Sequence, residues 1–114
     1  MFTKKIHFTE VQKRDGRIVP FDQSRIVSAI TRAMQATGEG DPIKDAERVC
    51  EQVVTELVKK YPEGSVPNIE NIQDTVETEL ILMEFPKTAK SYILYRNERA
   101  KIRNQKHDIP ERVR

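Results

Sequence analysis

Asp15-Gly16 stands between two short segments, Glu10 to Arg14 and Arg17 to Phe21, in which apolar and polar residues alternate. A period of two marks a strand with one buried face. An Asp-Gly pair between two such segments predicts a β-hairpin, because a tight primed turn needs positive φ at its central residues. Pro20 near the end of the second segment predicts an edge or the strand's exit. The turn gathers Lys13, Arg14 and Arg17, and a helix is expected just beyond it with Arg25 in its first turns. Four cations near a helix start form a seat for a polyphosphate. Taken alone, the same residues also read as a solubilising hairpin with charged edges. Neighbours on a strand face opposite ways, so Lys13 and Arg14 are expected to point apart unless the turn twists them.

After the hairpin the period changes from two to that of a helix. Asp22 or Ser24 can cap a first helix, whose apolar face is Ile26, Val27, Ala29, Ile30, Ala33 and Met34. Gly38 and Gly40 end it, with Gly38 suited to a left-handed cap. Asp41-Pro42 opens a second helix, Ile43 to Lys60, with Ala46, Val49, Cys50, Val53, Val54 and Leu57 inward. Pro62 and Gly64 stop it, and Ser65-Val66-Pro67 suits a very short third strand. Asn68 is an N-cap for a third helix carrying Ile69, Ile72, Val76, Leu80 and Met83. Phe85-Pro86 breaks that helix, and a fourth is expected from Pro86 to Arg103, with Ala89, Tyr92, Ile93 and Tyr95 inward. The fold class is therefore α+β and mainly α: a four-helix bundle capped by a β-hairpin or a small three-stranded sheet. Residues 1–10 read as an N-terminal arm, 11–103 as the domain, and 104–114 as a flexible tail or a linker to a catalytic domain.

The chain has 114 residues, enough for one domain with a modest core, and 33% of them are charged. No apolar run approaches the roughly 20 residues of a membrane span, and the first residues lack the apolar stretch of a signal peptide. A cytoplasmic, membrane-free location is expected. Cys50 is the one cysteine, and the two histidines, His7 and His107, are far apart. That excludes an internal disulfide and a multi-cysteine zinc site, and no metal site is expected. No nucleophile elbow, Walker loop or glycine-rich phosphate cradle is present. No catalytic residues are assigned, so a phosphate would have to be held by side-chain cations, as in a binding domain and not a phosphoryl transferase. The net charge of +2 is too small to imply a nucleic-acid partner. Nevertheless Lys87, Lys90, Arg96, Arg99, Lys101, Arg103 and Lys106 crowd the last quarter, and Arg96, Arg99 and Arg103 share a helix face. A nucleic-acid-binding module or transcriptional regulator using that face is the alternative function. A ligand-free helical interaction domain is a third.

Three groups of residues, in order, carry a resemblance. Val11-x-Lys13-Arg14-Asp15-Gly16 is followed by Phe21-Asp22, Ile26, Ala29-Ile30 and Ala33. Val66 is followed by Ile72-Gln73-Asp74-x-Val76-Glu77. The last group is Ala89-x-x-Tyr92-Ile93-x-Tyr95-Arg96-x-x-Arg99. Together they resemble the ATP-cone, the regulatory nucleotide-binding domain of ribonucleotide reductases, from about Val11 to Arg103. The resemblance implies a small β cap over four helices and a site for which ATP and dATP compete as allosteric ligands. It also implies a reductase catalytic domain or subunit as partner, and a nucleotide-dependent homo-oligomer, since in related reductases the dATP form promotes an inactive one. Mg²⁺ would be carried by the nucleotide phosphates. By resemblance, Lys13, Arg14 and Arg25 meet the phosphates. Asp22 recognises adenine, although its spacing also suits a plain N-cap. The backbone of Val19, Pro20 and Phe21 lies near the base. Asn68 senses ribose or phosphate. Gln73 and Asn97 stand where relatives carry a histidine and a lysine, so Arg96 or Arg99 is expected to supply that charge. A zinc-ribbon repressor of the same family is set aside because its four cysteines are missing. The N-terminal regulatory domain of a reductase is the expected context, with a free-standing cone as the alternative.

Overall fold

Strand β1 (Glu10–Gln12) pairs antiparallel with β2 (Ile18–Pro20), Val11 opposite Val19. These are the first elements of a computed structural model that describes residues 9–112, with side chains through residue 99. Residues 1–8 of the expected arm, and the side chains of Lys101, Arg103 and Lys106, lie outside that range. The turn departs from the expected two-residue form. Gly16 N–H donates to the Lys13 carbonyl at 2.9 Å, and Lys13 N–H donates to the Arg17 carbonyl at 2.8 Å. The loop is thus Arg14-Asp15-Gly16, with Gly16 alone at positive φ (+90°) and Asp15 outside the left-handed region. This is a type I turn closed by a glycine bulge, the next most favoured hairpin connection. Asp15 fixes it by accepting the backbone N–H of Arg17 at 3.1 Å and its Nε at 2.9 Å.

Four helices follow: α1 (Gln23–Thr37), α2 (Lys44–Lys60), α3 (Ile69–Leu82) and α4 (Pro86–Arg112). Asp22 caps α1 and Asn68 caps α3, each side chain accepting backbone N–H groups of the first turn. Gly38 ends α1 in the left-handed conformation, φ +73°. The loop into α2 is held by Asp41, whose Oδ1 takes the N–H groups of Ile43 and Lys44. At the end of α3 the left-handed position falls on Glu84, φ +69°, and Phe85 N–H reaches back to the Leu80 carbonyl at 2.8 Å. Helix α4 runs on to Arg112 where an end near Arg103 was expected. Pro110 lies in its last turn, where it removes one i→i−4 hydrogen bond.

Helix α1 packs against α2 and α4, and α3 packs against the same two, so α1 and α3 are diagonal. The core holds Ile30 and Met34 from α1, the whole expected face of α2, Ile72, Val76 and Leu80 from α3, and Ala89 and Tyr92 from α4. Val11 anchors the hairpin to this core. Each buried Leu or Ile contributes about 1.5–3 kcal/mol relative to exposure. Tyr95 is not inward: it is 42% exposed. The expected third strand is reduced to one parallel bridge between Gln12 and Asn68, with Gln12 N–H donating to the Pro67 carbonyl at 2.9 Å. Pro67 has no N–H to return the bond, so the ladder stops there.

Candidate functional site

Where the hairpin overhangs the bundle, the diagonal helices α1 and α3 leave a cavity of about 380 Å³. Its apolar wall is Ile26 and Ala29 of α1, Ile69 and Ile72 of α3, and the ring of Tyr92. Six cations surround it: Lys13 and Arg14 from the hairpin, Arg25 and Arg32 from α1, Arg96 and Arg99 from α4. No carboxylate lines it. An apolar floor under convergent charged groups is the usual make-up of a small-ligand site, and this size lies in the usual range.

Each cation is placed by a local rule. Lys13 follows Val11 by two residues, so it shares the face that points at the helices. Arg14 has left the strand and sits in the turn, where the bulge swings it to the same side as Lys13. Both line the cavity, against the expectation from strict alternation. Arg25 and Arg32 are seven residues apart on α1, two turns along one face, with Ser28 and Ala29 between them. Tyr92, Tyr95, Arg96 and Arg99 repeat that spacing on α4. Arg17 takes no part, being paired with Asp15 at 2.9 Å.

Two of the six carry internal partners. Arg14 meets Glu70 of α3 at 2.8 Å. Arg96 meets Asp74 at 3.0 Å and also bonds Glu77, both on α3. Burial works against the Arg96 charge, but the bonds to Glu77 and Asp74 outweigh it and raise its pKa further. Among the described residues Lys13, Arg25, Arg32 and Arg99 have no carboxylate within ion-pair distance. Burial also raises the Tyr92 phenol well above its ordinary value, so the ring enters the wall uncharged. Gln73, on the same wall, has a buried Oε1 with no hydrogen-bond partner. Such an orphan acceptor is costly unless something else supplies a donor. Side-chain amide orientation is interchangeable, so the group can equally present its N–H₂.

A second, more polar hollow of about 240 Å³ adjoins the first through Lys13, Arg14 and Ile69. Gln12, Asn68 and Glu70 line it. Among the described residues no group of His, Cys, Asp and Glu is arranged to hold a metal ion.

The structure thus brings together Lys13, Arg14, Arg25, Gln73 and Arg96. Asn68 lines only the second hollow and spends its Oδ1 on the N–H groups of Glu70 and Asn71. Asp22 performs the capping role: Oδ1 takes the Ser24 hydroxyl at 2.6 Å and its N–H at 3.0 Å. Those bonds, the hydroxyl's first, lower its pKa. Val19 and Phe21 pack partly buried against the core, and neither they, Pro20, Asp22 nor Asn97 line the cavity. Arg32 and Ser28 were missed by sequence reasoning, although the Arg25–Arg32 spacing of two turns was the signal. Tyr95 was expected to be core and instead borders the cavity. Cys50 is fully buried, and burial pushes its thiol up to about 12, which makes it an inert packing group.

A family model described as an ATP cone domain matches residues 9–101. The chain is 43% identical over 102 residues to a vitamin B12-dependent ribonucleoside-diphosphate reductase of Thermoplasma acidophilum, covering 85% of this chain and 13% of the relative. It is 37% identical over 111 residues to the ribonucleoside-diphosphate reductase subunit alpha of Chlamydia pneumoniae, covering 90% and 10%. An anaerobic ribonucleoside-triphosphate reductase of Salmonella typhimurium is 34% identical over 104 residues, covering 91% and 14%. The chain therefore spans about a tenth to a seventh of the length of these relatives.

Proposed function

The chain belongs to the ATP cone family, and from that membership we propose that it is the allosteric adenine-nucleotide sensor of a ribonucleotide reductase. The carrying observation is the cavity itself: six cations over an apolar floor, with no carboxylate among the lining residues. A triphosphate is the ligand whose charge such a rim balances, and the apolar wall gives a purine or sugar somewhere dry to rest. Lys13, Arg14, Arg25, Arg32 and Arg99 are assigned to the phosphates, with Arg96 as a fixed cation behind them. Gln73 is assigned to a polar edge of the sugar or base, where a bonded donor or acceptor would satisfy its orphan atom. Asp22 and Asn68 support the site by capping the helices that build it. Mg²⁺, where present, would ride on the phosphates.

The domain has no catalytic role in this reading. Its partner is the reductase's catalytic part, and its output is a change in assembly when ATP gives way to dATP. The two ligands differ by one hydroxyl, so discrimination is modest unless that hydroxyl meets a buried polar group.

Melting temperatures with ATP, dATP, GTP and no nucleotide test the proposal. A ligand bound only by the folded state stabilises it by about 2.7 kcal/mol at a hundredfold excess over Kd. ATP and dATP should raise the melting temperature and GTP should not. No rise at millimolar ATP would overturn the assignment.

A further inference from the structure

Helix α3 presents three carboxylates beside the arginines of the cavity. Glu70, Asp74 and Glu77 stand at i, i+4 and i+7, one stripe of the helix. All three are engaged: Glu70 by Arg14, Asp74 and Glu77 by Arg96. One helix therefore neutralises two of the cations that arriving phosphates would meet.

The two ion-pair sites differ in setting. The Arg14 and Glu70 side chains are 36% and 48% exposed and share one contact. Arg96 is 15% exposed and holds two carboxylates, one of them, Glu77, only 20% exposed. Water and salt screen the first pair, so little is lost when it opens. Opening the second would leave sheltered charge unpaired, which is strongly unfavourable.

We infer that Glu70 is a displaceable counter-ion of the nucleotide site: an incoming polyphosphate takes Arg14 away from Glu70, while Arg96 keeps its two carboxylates. This rests on the nucleotide-binding reading above. Phosphate oxygens offer the Arg14 guanidinium a bidentate, more highly charged match than one carboxylate contact. The released Glu70 is not stranded, because it lies in the first turn of α3, where the positive end of the helix favours an anion. Glu70 then competes with the ligand for Arg14 and sets the affinity of the site from within.

Calorimetric titration of the whole chain with ATP, and separately with inorganic tripolyphosphate, tests this on wild type, Glu70→Gln, Arg14→Ala and the double variant. Glu70→Gln is isosteric, and a thermal melt of each variant checks the fold. Glu70→Gln should bind both probes about two- to fivefold more tightly than wild type. In the Arg14→Ala background the same change should alter affinity by less than about twofold. An unchanged or weakened affinity in Glu70→Gln overturns the inference. So does an equal gain in both backgrounds, which would mean general charge repulsion and no exchange at Arg14. If tripolyphosphate follows the expected pattern and ATP does not bind, the exchange stands and the nucleotide reading falls. If neither probe binds any of the four proteins, both fall.

Discussion

Glu39 caps helix α4 across the bundle: its Oε1 accepts the backbone N–H of Thr88 at 2.7 Å, and its Oε2 that of Lys87 at 3.3 Å. Pro86 fills the first helical position, where its missing N–H is no loss. The next two N–H groups are the orphans that a helix start must satisfy. A carboxylate from the α1–α2 loop does so and also meets the positive end of the helix. Glu39 thus ties the end of α1 to the start of α4, beside the contact between the Thr37 and Thr88 hydroxyls.

Burial alone would raise the Glu39 pKa, but the bonds from Thr88 and Lys87 outweigh it and hold the carboxyl below its ordinary 4.5. A folded-state pKa below the unfolded one contributes stability above the unfolded value and loses it as pH falls through the folded one. Glu39→Ala should cost about 0.5–2 kcal/mol at neutral pH. The gap in melting temperature between wild type and Glu39→Gln should shrink as pH drops below 4.5. A gap that stays constant down to strongly acidic pH would contradict the capping role.

Gly40 has φ +72°, and a Cβ there would stand 2.8 Å from Cε1 of Phe85 and 3.1 Å from Oδ2 of Asp45. The Phe85 ring is partly buried against the core, so moving it aside would cost packing. Gly40→Ala should therefore cost about 1–3 kcal/mol through overpacking, beyond the left-handed backbone penalty. Gly38, at φ +73° with open space around its missing Cβ, should lose only that penalty, about 1 kcal/mol. Denaturant unfolding of the two variants would rank them, and equal losses would contradict the clash.

Lys13→Ala and Arg32→Ala remove rim cations that have no carboxylate partner among the described residues, and neither side chain is part of the buried core. Each charged hydrogen bond is worth about 1.5–3 kcal/mol, so each variant should weaken ATP roughly tenfold or more while the melting temperature without ligand stays near wild type. Asn97→Ala, outside the lining, should bind ATP as wild type does. Isothermal titration separates these outcomes, and an unaffected Arg32→Ala would remove that end of the cavity from the phosphate path.

Cys50 should be silent. Its thiol is fully buried and shifted up to about 12, so the reactive thiolate is scarce and out of reach at neutral pH. A thiol-specific chromogenic reagent should label the native chain no faster than it unfolds, and label it promptly in denaturant.

The core was legible because it is periodic. The inward face read for α2, Ala46 to Leu57, is the buried set, since a helix with one apolar stripe has one way to satisfy it. The caps at Asp22, Gly38 and Asn68 were legible because each acts within its own turn. What escaped depended on partners far along the chain or on finer geometry. An Asp-Gly pair serves a three-residue bulged loop as well as a two-residue one, and only the ladder register decides. Glu39 acts 49 residues away. Arg32 was not singled out: its two-turn spacing from Arg25 is visible in the sequence, but nothing local says that the diagonal helices leave a cavity there.

The walls of that cavity are drawn from residues 13–14, 25–32, 69–73 and 92–99. Helix α1 continues into α2, and α3 into α4, through short connections, so each pair is a local helical hairpin. A molecule lodged among those four segments would fasten the two helical hairpins to each other and to the strand turn, without a covalent bond. Occupancy would then be felt by the whole chain at once, as a later and steeper melt and as slower amide exchange at the hairpin, so the domain would report the nucleotide pool through its own cooperativity.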